Sequence, residues 1–103
     1  MKFETTPRFD KDFKALPQEH QKAFFDLMPD FNAACDGYAA TNDGFVWAKR
    51  LWVSKMISTR GVWEMTWSFA SPDGRATFEF VNTPDGIRLR WRRIGDHGVF
   101  PEP

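Results

Sequence analysis

The chain has 103 residues, 42% of them hydrophobic, which corresponds to a single domain over residues 1–103 with a core of its own. One cysteine, Cys35, excludes an internal disulfide framework and a cysteine-based zinc site. The 14 basic and 14 acidic side chains cancel, so the total charge does not point to a polyanionic partner. Because no stretch approaches the ~18 apolar residues of a membrane span and the N-terminus lacks a signal-peptide core, we expect a soluble, cytoplasmic protein without a membrane partner.

The N-terminal stretch predicts one strand and one helix. Residues 2–9 have the pattern of a short strand, in which Pro7 marks an edge or a strand end. Three of its side chains are expected to turn inward: Phe3, Thr5 and Phe9. A helix follows, with Asp10 as its N-cap, because apolar residues recur at the spacing of one helical face: Phe9, Phe13 and Leu16.

A second, longer helix is predicted from Pro17, which suits a first helical turn, to Gly37, the expected C-cap. Its apolar residues keep helical spacing throughout: Phe24, Leu27, Met28, Phe31, Ala34 and Cys35. Pro29, in the middle, predicts a kink or a split. Residues 37–46 carry glycine, asparagine and aspartate and are expected to form a loop.

Beyond this loop, apolar residues recur at every second position, which predicts strands at 49–56, 62–69, 75–81 and 87–94. Turn sequences at 71–74 and 83–86 join the last three strands into hairpins. The inward side chains are expected to be Leu51, Val53, Trp63, Met65, Trp67, Phe69, Ala76, Phe78, Phe80, Ile87, Leu89 and Trp91. The element order is therefore β-α-α-β-β-β-β, an α+β fold with two N-terminal helices on one face of a small, twisted, mostly antiparallel sheet.

The second face of this sheet collects polar side chains: Glu64, Thr66, Arg75, Thr77, Glu79, Arg88, Arg90 and Arg92. One interpretation is a cross-strand ladder in which the two glutamates pair with arginines. Two acids cannot pair four guanidinium groups, so this ladder leaves arginines over. The other interpretation is a phosphate-binding surface, because arginine suits bidentate contact with phosphate oxygens. Further basic residues would flank it: Lys49, Arg50, Lys55 and Arg60.

The end of the last strand adds two residues of interest. His97 can exchange a proton near neutral pH, although a hydrogen-bonded structural role is the alternative. Arg93 falls on the inward parity of its strand and is expected to leave the core at the sheet edge.

Trp47 and Trp52 are candidates for stacking on nucleic-acid bases, with core packing as the alternative.

Three stretches carry a family resemblance: WEMTW (63–67), PDGRATFEF (72–80) and WRRIGDHGVF (91–100). Together with the order of elements from Phe3 to Pro103, they resemble the RelE/ParE superfamily, and most closely the RelE-type toxins of bacterial toxin–antitoxin pairs. The resemblance implies a toxin that a cognate antitoxin of the helix-turn-helix type neutralises. It also implies an endoribonuclease that enters the ribosome and cuts mRNA with no metal ion or cofactor, through attack of the 2′-hydroxyl on the scissile phosphate.

The resemblance also implies roles for individual residues. Arg75 matches the arginine that contacts the scissile phosphate, and His97 matches the position of the general acid. Lys55 is the third catalytic candidate, and Glu64 could act as base unless it pairs with an arginine. The RNA-binding candidates are Lys49, Arg50, Arg60, Arg90, Arg92 and Phe100. The alternatives are a ParE-like inhibitor of DNA gyrase that acts by binding alone, and a relative that has lost activity.

Overall fold

A computed structural model describes residues 1–41, 45–48, 53–56, 60–67 and 74–95. The elements are β1 (Phe3–Thr5), α1 (Pro7–Ala15), α2 (Gln18–Thr41), β2 (Val53–Lys55), β3 (Trp63–Trp67), β4 (Gly74–Thr83) and β5 (Gly86–Gly95). The five strands form one mixed sheet in the order β1-β5-β4-β3-β2, in which β1 is parallel to β5 and the other neighbours are antiparallel. The predicted α+β class and order of elements are confirmed.

The start of α1 differs from the prediction. Thr6, not Asp10, is the N-cap: its Oγ1 accepts a hydrogen bond from the Phe9 backbone N–H at 3.1 Å. Pro7 occupies the first helical turn, where its missing N–H costs nothing. Phe9 is therefore a buried helix residue, not a strand residue. Phe3 was expected to point inward, but it is 67% exposed because β1 is an edge strand of only three residues.

Helix α2 is longer than predicted and continuous. It runs through Pro29, so of the predicted kink or split the split is wrong, and it passes Gly37, which is not a C-cap. Buried Phe24 and Phe31 lie on either side of the proline and hold both halves against the sheet, which offsets the hydrogen bond that proline cannot donate. Residues 37–41, predicted as loop, are thus helical.

The reason for a glycine at position 37 is a close approach by an aromatic ring. A Cβ at Gly37 would lie 2.6 Å from Cε1 of Phe45. Phe45 in turn packs at ring-centroid distances of 5.0 Å from Trp47 and 6.4 Å from Tyr38. The missing side chain at Gly37 therefore leaves room for the Phe45 ring to pack against α2.

The core between the helices and the sheet is aromatic, and Trp91 of β5 lies at its centre. Only 2% of Trp91 is exposed. Its ring centroid is 5.8 Å from Phe9 of α1, 5.1 Å from Phe24 and from Phe31 of α2, and 5.4 Å from Phe78 of β4. Both helices therefore pack on the face of the sheet that Trp91 occupies.

The burial of the strand residues follows the predicted alternation in part, because Thr66 and Thr77, predicted on the water-facing side, are also buried. The predicted inward residues that are buried are Trp63, Met65, Ala76, Phe78, Leu89 and Trp91. The predicted inward residues Val53, Phe80 and Ile87 are half-buried, and the predictions for Leu51, Trp52, Phe69 and the side chain of Trp67 lie outside the described part of the chain. Trp47 is half-buried and stacks on Phe31 at 6.1 Å, so it contributes to the core. Across the described ranges, neither helix is long and apolar enough to cross a membrane.

Cys35 of α2 is 1% exposed. Burial raises the pKa of its thiol to about 12; the N-terminal ammonium group lowers it slightly and Asp36 raises it. The thiol is therefore protonated in the folded protein at pH values where an exposed cysteine ionises.

The Gly37–Phe45 approach predicts the effect of a larger residue. Gly37→Ala in a helix interior should raise the free energy of unfolding by about 0.5–1 kcal/mol through helix propensity. Here we expect it to lower that free energy by about 1 kcal/mol instead, because the new methyl group displaces the Phe45 ring. Urea denaturation in a double-mutant cycle with Phe45→Leu checks this. In the Phe45→Leu background Gly37→Ala should become stabilising, and an unchanged effect there would contradict the steric explanation.

The buried thiol predicts an alkaline loss of stability. Because the folded pKa lies above the unfolded one, the unfolded state binds fewer protons above pH 9, and stability falls as the pH rises from about 9 towards 12. Between pH 8 and pH 10 the wild type should lose on the order of 1 kcal/mol more unfolding free energy than Cys35→Ala. Identical pH profiles of the two proteins in urea denaturation would refute this.

Candidate functional site

Four arginines of β5 form a row that we call the arginine row: Arg88, Arg90, Arg92 and Arg93. The two in the middle, Arg90 and Arg92, bind carboxylates. Glu79 of β4 lies opposite Arg90 of β5, and its Oε1 accepts from Arg90 Nη1 at 3.5 Å. The other carboxylate oxygen of Glu79 accepts from Arg92 Nη1. On the far side, Arg90 Nε donates to Glu4 Oε2 of β1 at 3.4 Å. Arg90 thus lies between carboxylates from both neighbouring strands.

The two ends of the row are also paired. Nη2 of Arg88 lies 3.7 Å from Oδ2 of Asp85 in the β4–β5 turn. Arg93 Nε donates to Oδ2 of Asp12 on α1 at 2.5 Å, and its Nη2 donates to Oδ1 at 3.2 Å. This bidentate pair is mostly buried, with 17% and 19% of the two side chains exposed, and it ties α1 to the end of β5.

A shift in the pairing of β4 with β5 explains why the consecutive residues Arg92 and Arg93 both lie outside the core. Thr77 pairs with Arg93 but Phe78 pairs with Trp91, so Arg92 is an extra residue in β5. The bulge reverses the parity of the strand, which places Ile94 opposite Ala76 in the core, 1% exposed. The predicted inward parity of Arg93 is therefore wrong.

These pairs account for three of the four arginines that the sequence placed on the second face: Arg88, Arg90 and Arg92. The sequence offered only Glu64 and Glu79 as partners, whereas the fold adds three acids from other elements: Glu4 of β1, Asp12 of α1 and Asp85 of the turn. The ion-pair interpretation thus holds for Arg88, Arg90, Arg92 and Arg93. A polyanion that contacts Arg90 or Arg92 has to compete with Glu79.

Arg75 is the candidate at the other end of β4. It is half-buried, lies opposite Thr66 of β3 and Gly95 of β5, and donates from Nη1 to the Gly74 carbonyl oxygen at 3.2 Å. Near Arg75 the second face of the sheet is closed to water in part. Thr66 is 8% exposed, and Thr77, at the bulge, is fully buried.

Glu64 lies on the same face as Arg75. Its Oε1 accepts from Ser54 Oγ of β2 at 3.2 Å, so its partner in the structure is a hydroxyl group.

Lys55 and Arg75 lie on opposite faces of the sheet. Lys55 pairs with Trp63, and its Nζ is 5.2 Å from the centroid of the Trp63 ring, which faces α2 through Tyr38. Thr66, the partner of Arg75, has the opposite parity to Trp63 along β3. The three predicted catalytic residues are therefore not one cluster, since Lys55 belongs to the helix side. Arg60 is exposed in the turn that leads into β3.

Lys55 and Arg60 line a groove of about 590 Å³ on that side, together with Tyr38, Met56, Gly61, Trp63 and Phe80; we call these seven residues the aromatic groove. The sequence interpretation missed it because it placed Tyr38 in a loop. The signal was present: Phe31, Cys35 and Tyr38 continue the helical spacing beyond Gly37.

The remaining candidates, Lys49, Arg50, His97 and Phe100, lie outside the described residues, so their roles stay predictions. Within the described ranges no three His, Cys, Asp or Glu side chains come together as metal ligands. Comparisons of the chain with models of protein families, with curated proteins and with solved structures find no match. Its function therefore has to be argued from its residues and their geometry.

The pairing of Glu79 with two arginines predicts a trade-off between stability and anion binding. Glu79→Gln should lower the free energy of unfolding by about 1 kcal/mol, because two partly exposed ion pairs are lost. It should also raise the affinity for a single-stranded RNA oligonucleotide, because Arg90 and Arg92 each lose a carboxylate that competes with phosphate. Glu64→Gln changes the charge equally but keeps an oxygen that accepts from Ser54. If both variants bind the RNA equally, the arginine row is not restrained by Glu79.

Proposed function

We propose that this chain is a RelE-like toxin of a toxin–antitoxin pair, a ribosome-dependent endoribonuclease that cuts mRNA and is neutralised by a cognate antitoxin. The order of elements and the parallel pairing of β1 with β5 support a fold of the kind the resemblance implies. The stretch 63–67 forms β3, and the described parts of the other two stretches, residues 74–80 and 91–95, lie on β4 and β5.

The observation that carries the proposal is the pairing of Arg75 with Gly95. His97 is the second residue after Gly95 in the sequence. Under the proposal, His97 joins Arg75 at this end of β4, so that a cation for the scissile phosphate and a proton donor for the leaving oxygen act together. RNA cleavage through the 2′-hydroxyl needs this combination.

The geometry also changes the set of catalytic candidates. Arg75 would stabilise the charge of the pentacoordinate phosphorane, and His97 would protonate the leaving 5′-oxygen. Glu64, on the same face as Arg75, is the candidate that would accept the proton of the 2′-hydroxyl. Lys55 does not belong to this set, because it lies on the helix side of the sheet.

A second candidate is inhibition of DNA gyrase by binding alone, as in ParE-like toxins. Two observations favour it: Lys55 is separated from Arg75 by the sheet, and the β5 arginines are engaged by carboxylates. A binding surface does not need an assembled catalytic group.

Expression of the two single variants tests the proposal. Arg75→Ala and His97→Ala should each relieve growth arrest and lower mRNA cleavage by about 10²–10³-fold, because each removes stabilisation of the transition state. Arg8→Ala, an exposed arginine on α1, is the matched control and should remain toxic. Primer extension on cellular mRNA and thermal melting of the purified proteins separate lost cleavage from lost folding.

The same experiment discriminates between the candidates. Cuts within mRNA codons support the endoribonuclease, whereas DNA damage with intact mRNA supports the gyrase inhibitor. Full toxicity of folded Arg75→Ala and His97→Ala would rule out the proposed catalytic roles.

A further inference from the structure

The aromatic groove has an apolar floor built by three rings. Tyr38 of α2 stacks on Phe80 of β4 with a centroid distance of 4.6 Å and an interplanar angle of 21°. Trp63 of β3 meets Tyr38 edge-on at 5.4 Å and Phe80 at 5.9 Å. Tyr38 and Phe80 are only half-buried, so part of this aromatic surface faces solvent. Such a surface suits contact with a planar, apolar ring.

The mouth of the groove is cationic. Lys55 and Arg60 are both exposed and both line it, and none of the seven described lining residues is acidic. This contrasts with the arginine row on the other face, where each side chain reaches a carboxylate. Gly61 has a φ of +78°, and a Cβ built on it would meet no atom of the described residues within 4 Å.

From this arrangement we propose that the aromatic groove binds a free nucleoside monophosphate. The base contacts the aromatic floor, and Lys55 and Arg60 bind the phosphate. A phosphate monoester carries between one and two negative charges at neutral pH, which matches two cations, and the arginine can contact it through two N–H groups. The volume of about 590 Å³ lies within the usual range of small-molecule sites.

This inference does not rest on the proposed toxin function. The groove lies on the helix side of the sheet, whereas Arg75 lies on the opposite face, and binding here involves no covalent step. A chain that proves not to cleave RNA could still bind the nucleotide, and the reverse holds equally.

Calorimetric titration of the full chain with AMP tests the proposal. AMP should bind, and the double variant Lys55→Gln/Arg60→Gln should weaken its affinity by at least about tenfold, because two charged phosphate contacts are lost. The matched control is Lys11→Gln/Lys14→Gln, which removes the same charge from exposed positions on α1 and should stay within about twofold of the wild type. Thermal melting of both double variants confirms that they fold.

Three further ligands show whether binding requires the base and the phosphate together: ribose 5-phosphate, adenosine and a short single-stranded RNA. Ribose 5-phosphate and adenosine should each bind at least about tenfold more weakly than AMP, because each lacks one half of the recognised group. Equal binding of ribose 5-phosphate would reduce the groove to a general anion site, and equal binding of adenosine would leave no role for the cations. Binding of a short single-stranded RNA without binding of AMP would mean that the ligand is an RNA strand. Each of these results, or an equal loss in the α1 control, would overturn the proposal.

Discussion

Burial of the Trp91 ring is the constraint on which most of the molecule depends. This one side chain contacts both helices and the neighbouring strand, through Phe9, Phe31 and Phe78 among others. Because side chains alternate along a strand, placing Trp91 in the core sends its neighbours Arg90 and Arg92 to the other face. The hydrophobic contact that joins the helices to the sheet therefore also determines where the densest positive charge of the chain lies.

Strand β5 consequently connects two layers of interactions. On the core side it receives both helices, and on the other side Arg90 and Arg92 bind carboxylates from β1 and β4. At the end of the strand, Arg93 binds Asp12 of α1. Thr6 shows how closely the layers are connected: its Oγ1 caps α1 and also donates to the Arg92 carbonyl oxygen at 2.8 Å. The ion pairs of this face thus hold elements together, which accounts for a dense arginine cluster in a chain without net charge.

The sequence predicts the elements well where one local period determines them, as in β3, β4 and β5, where Trp63, Met65, Ala76, Phe78, Leu89 and Trp91 are buried as expected. It fails where the cause lies in a distant part of the chain. Gly37 has the composition of a helix end, and only the position of the Phe45 ring explains why it lies inside a helix. The bulge at Arg92 and the pairing of Arg93 with Asp12, 81 residues apart, likewise require the folded register. Thr6 is different, because a threonine directly before a proline is a local signal for a helix start.

The register also limits how the candidate residues can act together. Lys55 and Arg75 belong to a single basic surface only if they share a face, and the pairing of β2 with β3 and of β3 with β4 excludes this. A polyanion that contacts both would have to pass around the edge of the sheet at β2, where Ser54 and Glu64 lie between them on the Arg75 side. The two faces therefore have different chemistry: paired arginines and a half-buried Arg75 on one, aromatic rings under two exposed cations on the other. A ligand of one face would therefore contact different side chains from a ligand of the other.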